Sequence, residues 1–163
     1  MSQRVVIDSS AFARESASLE GEVAVADLAR LLDMLTNNKG SLKYRIDGGL
    51  GSHNRPQLTV KVDGALSLRC QRCLEGIGYP VKLRSVLEFV DNEEDLTQEE
   101  IEDDSRDFLQ AQSELDVVDL IEDEIILDLP SAPRHENCAL PEIEQEQKAE
   151  SPFALLKNLK SKA

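Results

Sequence analysis

The fold of this chain is decided in residues 58–70, whose sequence is LTVKVDGALSLRC. Apolar side chains alternate with polar ones on both sides of a central Asp63-Gly64. The apolar positions are Leu58, Val60, Val62, Leu66, Leu68 and Cys70. A two-residue period is that of a β-strand with one buried face. Asp63-Gly64 is a dipeptide favoured in tight hairpins, so the stretch predicts two antiparallel strands joined there.

The same alternation recurs on both sides of this stretch. It is clear in residues 42–46 and 79–84, and it continues less regularly through Val90. We therefore expect an antiparallel β-sheet of four to five strands, open or curled toward a barrel, with one face in water.

Helical spacing of apolar residues marks three further segments. The first is 25–35, with Asn37 to Gly40 as a stop signal. The second begins at Ser113, with Asp116 three residues later as a capping-box-like signal, and ends at Pro130. The third is a short basic helix that begins at Ser151. Helices before and after one sheet make the predicted fold class α+β.

The size and composition of the chain indicate one ordered domain with loose segments. It has 163 residues, of which 40% are hydrophobic and only 4% aromatic, so one modest core is expected. We predict a single domain in 1–139, containing a mobile acidic loop at 91–112. Residues 140–163 are expected to form an acidic linker and the basic C-terminal helix.

The first residues and the apolar runs predict a cytoplasmic protein without a membrane partner. No apolar run approaches the roughly 20 residues that span a bilayer. Met1 to Arg4 lead into a strand-like segment and not into the core of a signal peptide. We also find no nucleophile, phosphate-loop, dinucleotide or metalloprotease motif, so no enzyme activity and no small-molecule substrate are expected.

The charge is divided sharply along the sequence. The net charge is −14, but residues 1–90 hold 12 basic and 10 acidic side chains, whereas residues 91–150 hold 3 and 22. The outward positions of the predicted strands are rich in cations, with Arg72 in the following turn. These residues are Lys43, Arg45, Lys61, Arg69, Arg72, Lys82 and Arg84. Such cations are either ordinary outward-facing strand residues that protect edges, or a surface for an anionic partner.

Acidic residues also line one side of the second predicted helix. Asp119, Glu122 and Asp123 lie opposite its apolar stripe. They are either a solvated helix face or a docking surface for a basic protein.

The cysteines and histidines form two pairs with the same spacing. Cys70 and Cys73 end a predicted strand, and His135 and Cys138 follow the second helix. Thiolates and imidazole in two short-spaced pairs match a Cys₃His zinc site. The alternative is a set of small buried side chains. A thioredoxin-like role fits poorly, because the first pair leads into another strand and not into a helix.

Four segments of the chain combine into a wider pattern. They are Cys70-Gln71-Arg72-Cys73-Leu74, the run from Ile121 to Pro130, His135 with Cys138, and Ser151-Pro152-Phe153-Ala154-Leu155-Leu156 with Leu159-Lys160. In order and spacing they resemble the YceD family of large ribosomal RNA subunit accumulation proteins, and Ile7-Asp8 and Gly21 extend the resemblance toward the N-terminus.

The resemblance implies a bacterial, cytosolic, non-enzymatic factor that supports 23S ribosomal RNA synthesis, processing or stability. Two mechanisms are compatible with the residues. In one, the basic strand positions hold ribosomal RNA or its precursor through phosphates. In the other, Asp119, Glu122, Asp123 and the acidic loop hold a basic large-subunit ribosomal protein or assembly factor, and the effect on RNA is indirect.

Overall fold

The structure, a computed structural model, describes residues 4–141. Seven strands and three helices follow one another along the chain. They are β1 (Val6–Ile7), α1 (Ser9–Arg14), β2 (Ser18–Ala24), β3 (Ser41–Leu50), β4 (Pro56–Arg69), β5 (Gly76–Val90), α2 (Gln98–Ile101), β6 (Asp107–Gln110), β7 (Leu115–Asp116) and α3 (Val117–Asp128).

Five of the strands form the main sheet, in the order β2-β3-β4-β5-β6. The pairs from β2 to β5 are antiparallel, whereas β6 runs parallel to β5. β1 and β7 form a separate antiparallel pair. The α+β class is confirmed. The sheet is mixed and open, so the barrel-like version of the prediction is wrong.

β4 continues through Asp63-Gly64, where a hairpin turn was predicted. Asp63 lies opposite Lys43 on one side and Lys82 on the other, and Gly64 is in register with Val81. A side chain at Gly64 would collide with Leu42, so the glycine provides close approach between strands and not a turn. The prediction of a hairpin here is wrong. The alternation keeps one phase through Asp63-Gly64, as expected for a single strand.

The first predicted helix is also absent. Residues 18–24 form the edge strand β2, and 25–35 contain only two 3₁₀ turns, Val25–Asp27 and Leu32–Met34. The buried residues Val25, Leu28 and Leu31 are spaced by three, which suits 3₁₀ geometry as well as an α-helix.

α3 confirms the second predicted helix but begins later. Asp116 is its N-cap, and its carboxylate accepts hydrogen bonds from the N–H groups of Val118 at 2.9 Å and Asp119 at 3.3 Å. Ser113 lies outside the helix, because the chain is extended through β7 before the cap. The predicted start at Ser113 is therefore wrong.

The core lies between one face of the main sheet and α1, α3 and the 25–35 segment. The sheet contributes alternate side chains of β3, β4 and β5, such as Ile46, Val60 and Leu83, and α3 contributes Leu120 and Ile125. The other face of the sheet carries the polar side chains. This division places five of the predicted cations on the side away from the helices, namely Lys43, Arg45, Lys61, Lys82 and Arg84.

The segment predicted as an acidic loop contains folded elements. A 3₁₀ turn, Glu93–Asp95, is followed by α2 and then by β6. Thr97 and Glu100 form a capping box on α2. The prediction missed these elements, and the mobility of the segment stays a prediction. The predicted acidic linker from residue 142 and the C-terminal helix lie outside the described residues. None of the helices in 4–141 has the length and hydrophobicity needed to cross a membrane.

Candidate metal centre and nucleic-acid interface

The four predicted metal ligands lie together at one end of the sheet. The ligand atoms of Cys70, Cys73, His135 and Cys138 are all within 4.8 Å of one another. Sγ of Cys70 is 3.8 Å from Sγ of Cys138, and Sγ of Cys73 is 3.3 Å from Nδ1 of His135. Two segments more than 60 residues apart thus converge on one point.

The turn from β4 to β5 positions the first pair. Cys70 is the first residue after β4, and its N–H donates to the carbonyl of Glu75 at 2.9 Å. The N–H of Leu74 donates back to the carbonyl of Cys70 at 3.0 Å. Leu74 has a φ of 67°, a left-handed conformation that costs an L-residue about 1 kcal/mol or more. The strained turn holds both thiols on the same side.

Backbone contacts fix the second pair against this turn. The N–H of Gln71 donates to the carbonyl of Pro133 at 2.8 Å, and Nη1 of Arg72 donates to the carbonyl of Cys138 at 3.1 Å. Arg72 was predicted as an RNA contact, and the structure places its guanidinium at the cysteine–histidine cluster and not on the strand face.

His135 is oriented as a metal ligand would be. Its Nε2 lies 3.2 Å from the carbonyl oxygen of Gly76. A carbonyl only accepts hydrogen bonds, so this contact assigns the proton to Nε2 and leaves the lone pair of Nδ1 directed at the thiols. Metal-binding histidines in proteins almost always have such a second partner.

The thiols have unequal acidities. Burial opposes ionisation of Cys70, but backbone hydrogen bonds from Cys73, Arg72 and His135 outweigh it and lower the pKa from 9.0 to about 5. A backbone hydrogen bond from Glu75 favours the thiolate of Cys73, yet burial and the thiols of Cys70 and Cys138 leave its pKa raised. The Cys70 thiolate therefore forms readily, and its negative charge opposes ionisation of a second thiol. A bound cation would remove this opposition.

The predicted cations of the sheet form rows across the strands. Arg45 lies opposite Lys61, and Lys61 lies opposite Arg84, so three cations on β3, β4 and β5 are directly in register. Like charges in opposite positions destabilise a sheet.

The neighbouring row is mixed. Lys43 lies opposite Asp63, which lies opposite Lys82. Neither Lys82 nor Arg84 forms an ion pair with another residue in 4–141. The five strand cations Lys43, Arg45, Lys61, Lys82 and Arg84 together form the basic face.

Carboxylates that the strand prediction did not include lie beside the basic face. β2 places Glu20 opposite Arg45 and Glu22 opposite Lys43. Asp47 pairs with Arg45 at 2.9 Å and with Lys61 at 3.6 Å. The positive charge is therefore concentrated toward β4 and β5, away from the β2 edge. Arg69 lies at the metal end of β4, where its Nη2 donates to the carbonyl of Leu35 at 3.4 Å.

Arg30 of the 25–35 segment contacts the acidic side of α3. Nε of Arg30 donates to Glu122 at 2.8 Å, and its Nη1 pairs with Asp123 at 2.5 Å. Glu122 is only 3% exposed and also accepts from the N–H groups of Arg30 and Leu31. Asp119 contributes its carbonyl oxygen to Arg30 at 2.9 Å. The carboxylate of Glu122 thus accepts backbone hydrogen bonds from a segment that has no α-helical hydrogen bonding of its own.

A cluster of ion pairs at the opposite end of the sheet was not predicted. Nη1 of Arg106 lies 2.8 Å from Oε1 of Glu88, which is 1% exposed, and Arg55 pairs with Glu100. The guanidinium groups of Arg55 and Arg106 lie 5.9 and 5.5 Å from the ring centre of Phe108. A backbone hydrogen bond at Thr97, followed by Arg55, lowers the pKa of Glu100 to about 2. Arg106 is the one basic residue within the acidic run 91–107. This lone cation was the feature of the sequence that could have indicated an ion-pair cluster.

Comparison with known proteins gives one match. The model of the family described as "Large ribosomal RNA subunit accumulation protein YceD" matches residues 58–160. That span includes β4, β5, α3 and all four clustered cysteine and histidine residues. Neither the curated proteins nor the solved structures contain a match.

Proposed function

The chain belongs to the YceD family of large ribosomal RNA subunit accumulation proteins, and from this premise we propose that it supports 23S ribosomal RNA by binding it, or a precursor particle containing it, on the basic face. In this proposal the protein is a non-enzymatic factor of the bacterial cytoplasm. The family is named for ribosomal RNA accumulation and not for a reaction.

The observation that carries the proposal is the row Arg45–Lys61–Arg84. Three cations directly opposite one another repel in the free protein, at a cost of a few tenths of a kcal/mol to about 1 kcal/mol for each pair. Asp47 offsets part of this cost for Arg45 and Lys61. Arg84 and Lys82 have no such partner within 4–141. Phosphates of an RNA backbone would relieve the repulsion. The closest contacts are expected at Arg84 and Lys82.

The expected mode of binding is electrostatic and largely independent of sequence. Phosphate contacts position a nucleic acid but do not identify its bases. Base stacking needs exposed aromatic side chains, and only 4% of the chain is aromatic. The affinity should therefore fall steeply with salt.

The test uses two outward residues of β5 and a matched control. Lys82→Glu with Arg84→Glu reverses two cations of the basic face, whereas Arg14→Glu with Lys39→Glu makes the same charge change on exposed residues elsewhere. Binding of a 23S fragment should weaken by about 10-fold or more at fixed salt only in the first variant, with a salt slope lower by about 2. Equal affinity of both variants would contradict the proposal.

A protein-binding adaptor is the competing mechanism. Of its predicted helix surface, the carboxylates of Glu122 and Asp123 are paired with Arg30, whereas Asp119 contributes only its backbone carbonyl. An adaptor would therefore depend on the carboxylate of Asp119 and on the exposed carboxylates of the acidic segment. RNA crosslinking in growing cells, with mass spectrometry of the same material, separates the two mechanisms. Confined 23S crosslinks support direct contact, and background RNA with one stoichiometric basic protein contradicts it.

We also infer that the clustered cysteines and histidine hold zinc. Two sulfurs bound to one tetrahedral zinc at about 2.3 Å lie about 3.8 Å apart, and Cys70 and Cys138 are 3.8 Å apart. Four protein ligands form a closed set, which is typical of structural zinc. The ion would tie the β4–β5 turn to the segment after α3.

The two histidines provide a matched test of this metal. His135→Ala should remove zinc from the purified protein, as measured by elemental mass spectrometry. His53→Ala should retain one zinc per chain, because His53 lies at the opposite end of the sheet, near Glu100. Zinc that is absent from the wild type, or present in equal amounts in both variants, would contradict the inference.

A further inference from the structure

An apolar groove lies between β6 and α3, apart from the metal cluster and the basic face. Its volume is about 370 Å³, and its walls include Leu109 on β6 with Leu120 and Ile126 on α3. Leu127 lines it and is 76% exposed. The groove presents an apolar surface that nothing in residues 4–141 covers.

The rim of the groove is acidic. Asp107, Asp123 and Glu124 line it. Asp123 pairs with Arg30, whereas neither Asp107 nor Glu124 forms an ion pair within the described part of the chain. Burial raises the pKa of Glu124, and the charges of Asp107 and Asp123 add to this effect. An occupant with apolar and basic side chains would satisfy both the floor and the rim.

The chain contains such a segment beyond the described residues. Residues 151–162 read SPFALLKNLKSK, with Phe153, Leu156 and Leu159 spaced by three and Lys157, Lys160 and Lys162 among them. Ser151 and Pro152 are a helix-start signal. We propose that this basic C-terminal segment docks as an amphipathic helix into the groove between β6 and α3 of its own chain.

The length of the intervening chain permits docking in cis. Cys138 lies in the cysteine–histidine cluster at the Gly76 end of β5, three residues before residue 141. Leu87 is the β5 residue that lines the groove, and it is eleven residues from Gly76, about 36 Å at strand geometry. The twelve residue steps from Pro141 to Phe153 span up to about 40 Å when extended. The segment therefore reaches the groove without displacing the sheet.

Helix-in-groove recognition explains the chemistry of both partners. Apolar side chains at helical spacing enter the groove, and charges at its rim select the orientation. Because the helix and the groove are in one molecule, the linker supplies a high effective concentration. A segment of about three turns, which is marginally stable alone, would then be helical when docked.

The test uses a single tryptophan. The chain has none, so Phe153→Trp in the full-length protein makes the docked position report its own environment. We expect a blue-shifted emission and acrylamide quenching reduced several-fold relative to a synthetic 151–163 peptide that carries the same tryptophan. Emission and quenching equal to those of the free peptide would overturn the proposal.

Two pairs of variants in this background assign the site. Leu127→Asp in the groove should restore free-peptide quenching, whereas Ile101→Asp, at a side chain 61% exposed elsewhere, should not. Asp107→Lys should raise quenching, and Asp104→Lys, outside the groove, should leave it unchanged. Both apolar sites are exposed, so little loss of folding stability is expected. Equal behaviour within the first pair, or protection only at concentrations where the protein self-associates, would overturn docking in cis.

Discussion

The two ends of β5 are held by opposite arrangements of charge. At Gly76, three thiols and an imidazole converge within 4.8 Å, and the guanidinium of the nearby Arg72 donates to the carbonyl of Cys138 and not to a thiol. At Glu88, carboxylates are already matched by Arg106 and Arg55. The first end would gain from the proposed zinc, whereas the carboxylates of the second end already have cationic partners within the described residues. If the proposed zinc is bound, one long strand joins a region whose stability depends on a metal to a region whose stability depends on pH.

Removing one metal ligand should separate the two ends most strongly. Cys73→Ser should lower the Tm by about 10 °C, because a structural metal contributes its binding energy to folding. Thermal unfolding with and without a chelator checks this. The chelator should lower the Tm of the wild type and leave the variant unchanged. A wild-type Tm that the chelator does not affect would contradict the comparison.

Acid should act on the ion-pair end. The pKa of Glu100 is lowered from 4.5 to about 2, first by the backbone hydrogen bond at Thr97 and then by Arg55. A lowered pKa contributes stability that is fully present above pH 4.5 and is lost as pH falls toward 2. Urea unfolding of wild type and Glu100→Gln should therefore differ by a constant amount above pH 4.5, and the difference should shrink below it. A difference that grows on acidification would have the wrong sign.

The smallest expected effect concerns backbone strain at Leu74, in the turn that holds Cys70 and Cys73. Leu74→Gly should raise the Tm by about 2 °C, because glycine adopts the φ of 67° without the strain that leucine carries. Leu74 is 57% exposed, so little core packing is lost. Zinc content should not change. A lower Tm would mean that the side chain of Leu74 contributes more than its backbone strain costs.

The sequence predicted the elements whose signal is local and repeated. The alternation in β3 and β5 is long enough to identify each strand, and the equal spacing of the two cysteine–histidine pairs identified a cluster whose members lie 68 residues apart. β2 was missed although Leu19, Gly21 and Val23 alternate with glutamates, because the pattern is short and contains a glycine. β6, at four residues, is shorter still.

The errors came from contacts between distant segments. Helical spacing in 25–35 also fits 3₁₀ turns, and the deciding interaction is the carboxylate of Glu122, more than 90 residues away. The same interaction removed Glu122 from the surface on which it was predicted. No carboxylate was predicted on the face opposite the core, because β2, which carries Glu20 and Glu22, was not predicted as a strand.

The pairing of β1 with β7 determines how late in synthesis the N-terminal strand can fold. Val6 lies opposite Asp116, so the N-terminal strand has no partner until 110 further residues have been made, roughly 6–22 s at 5–20 residues per second. The main antiparallel strands can pair earlier, since β2 to β5 are complete by Val90. The ligand cluster closes only with Cys138. A nascent chain therefore passes through a stage in which Cys70 and Cys73 have been made but Cys138 has not, and capture of the proposed zinc would be a late step of maturation.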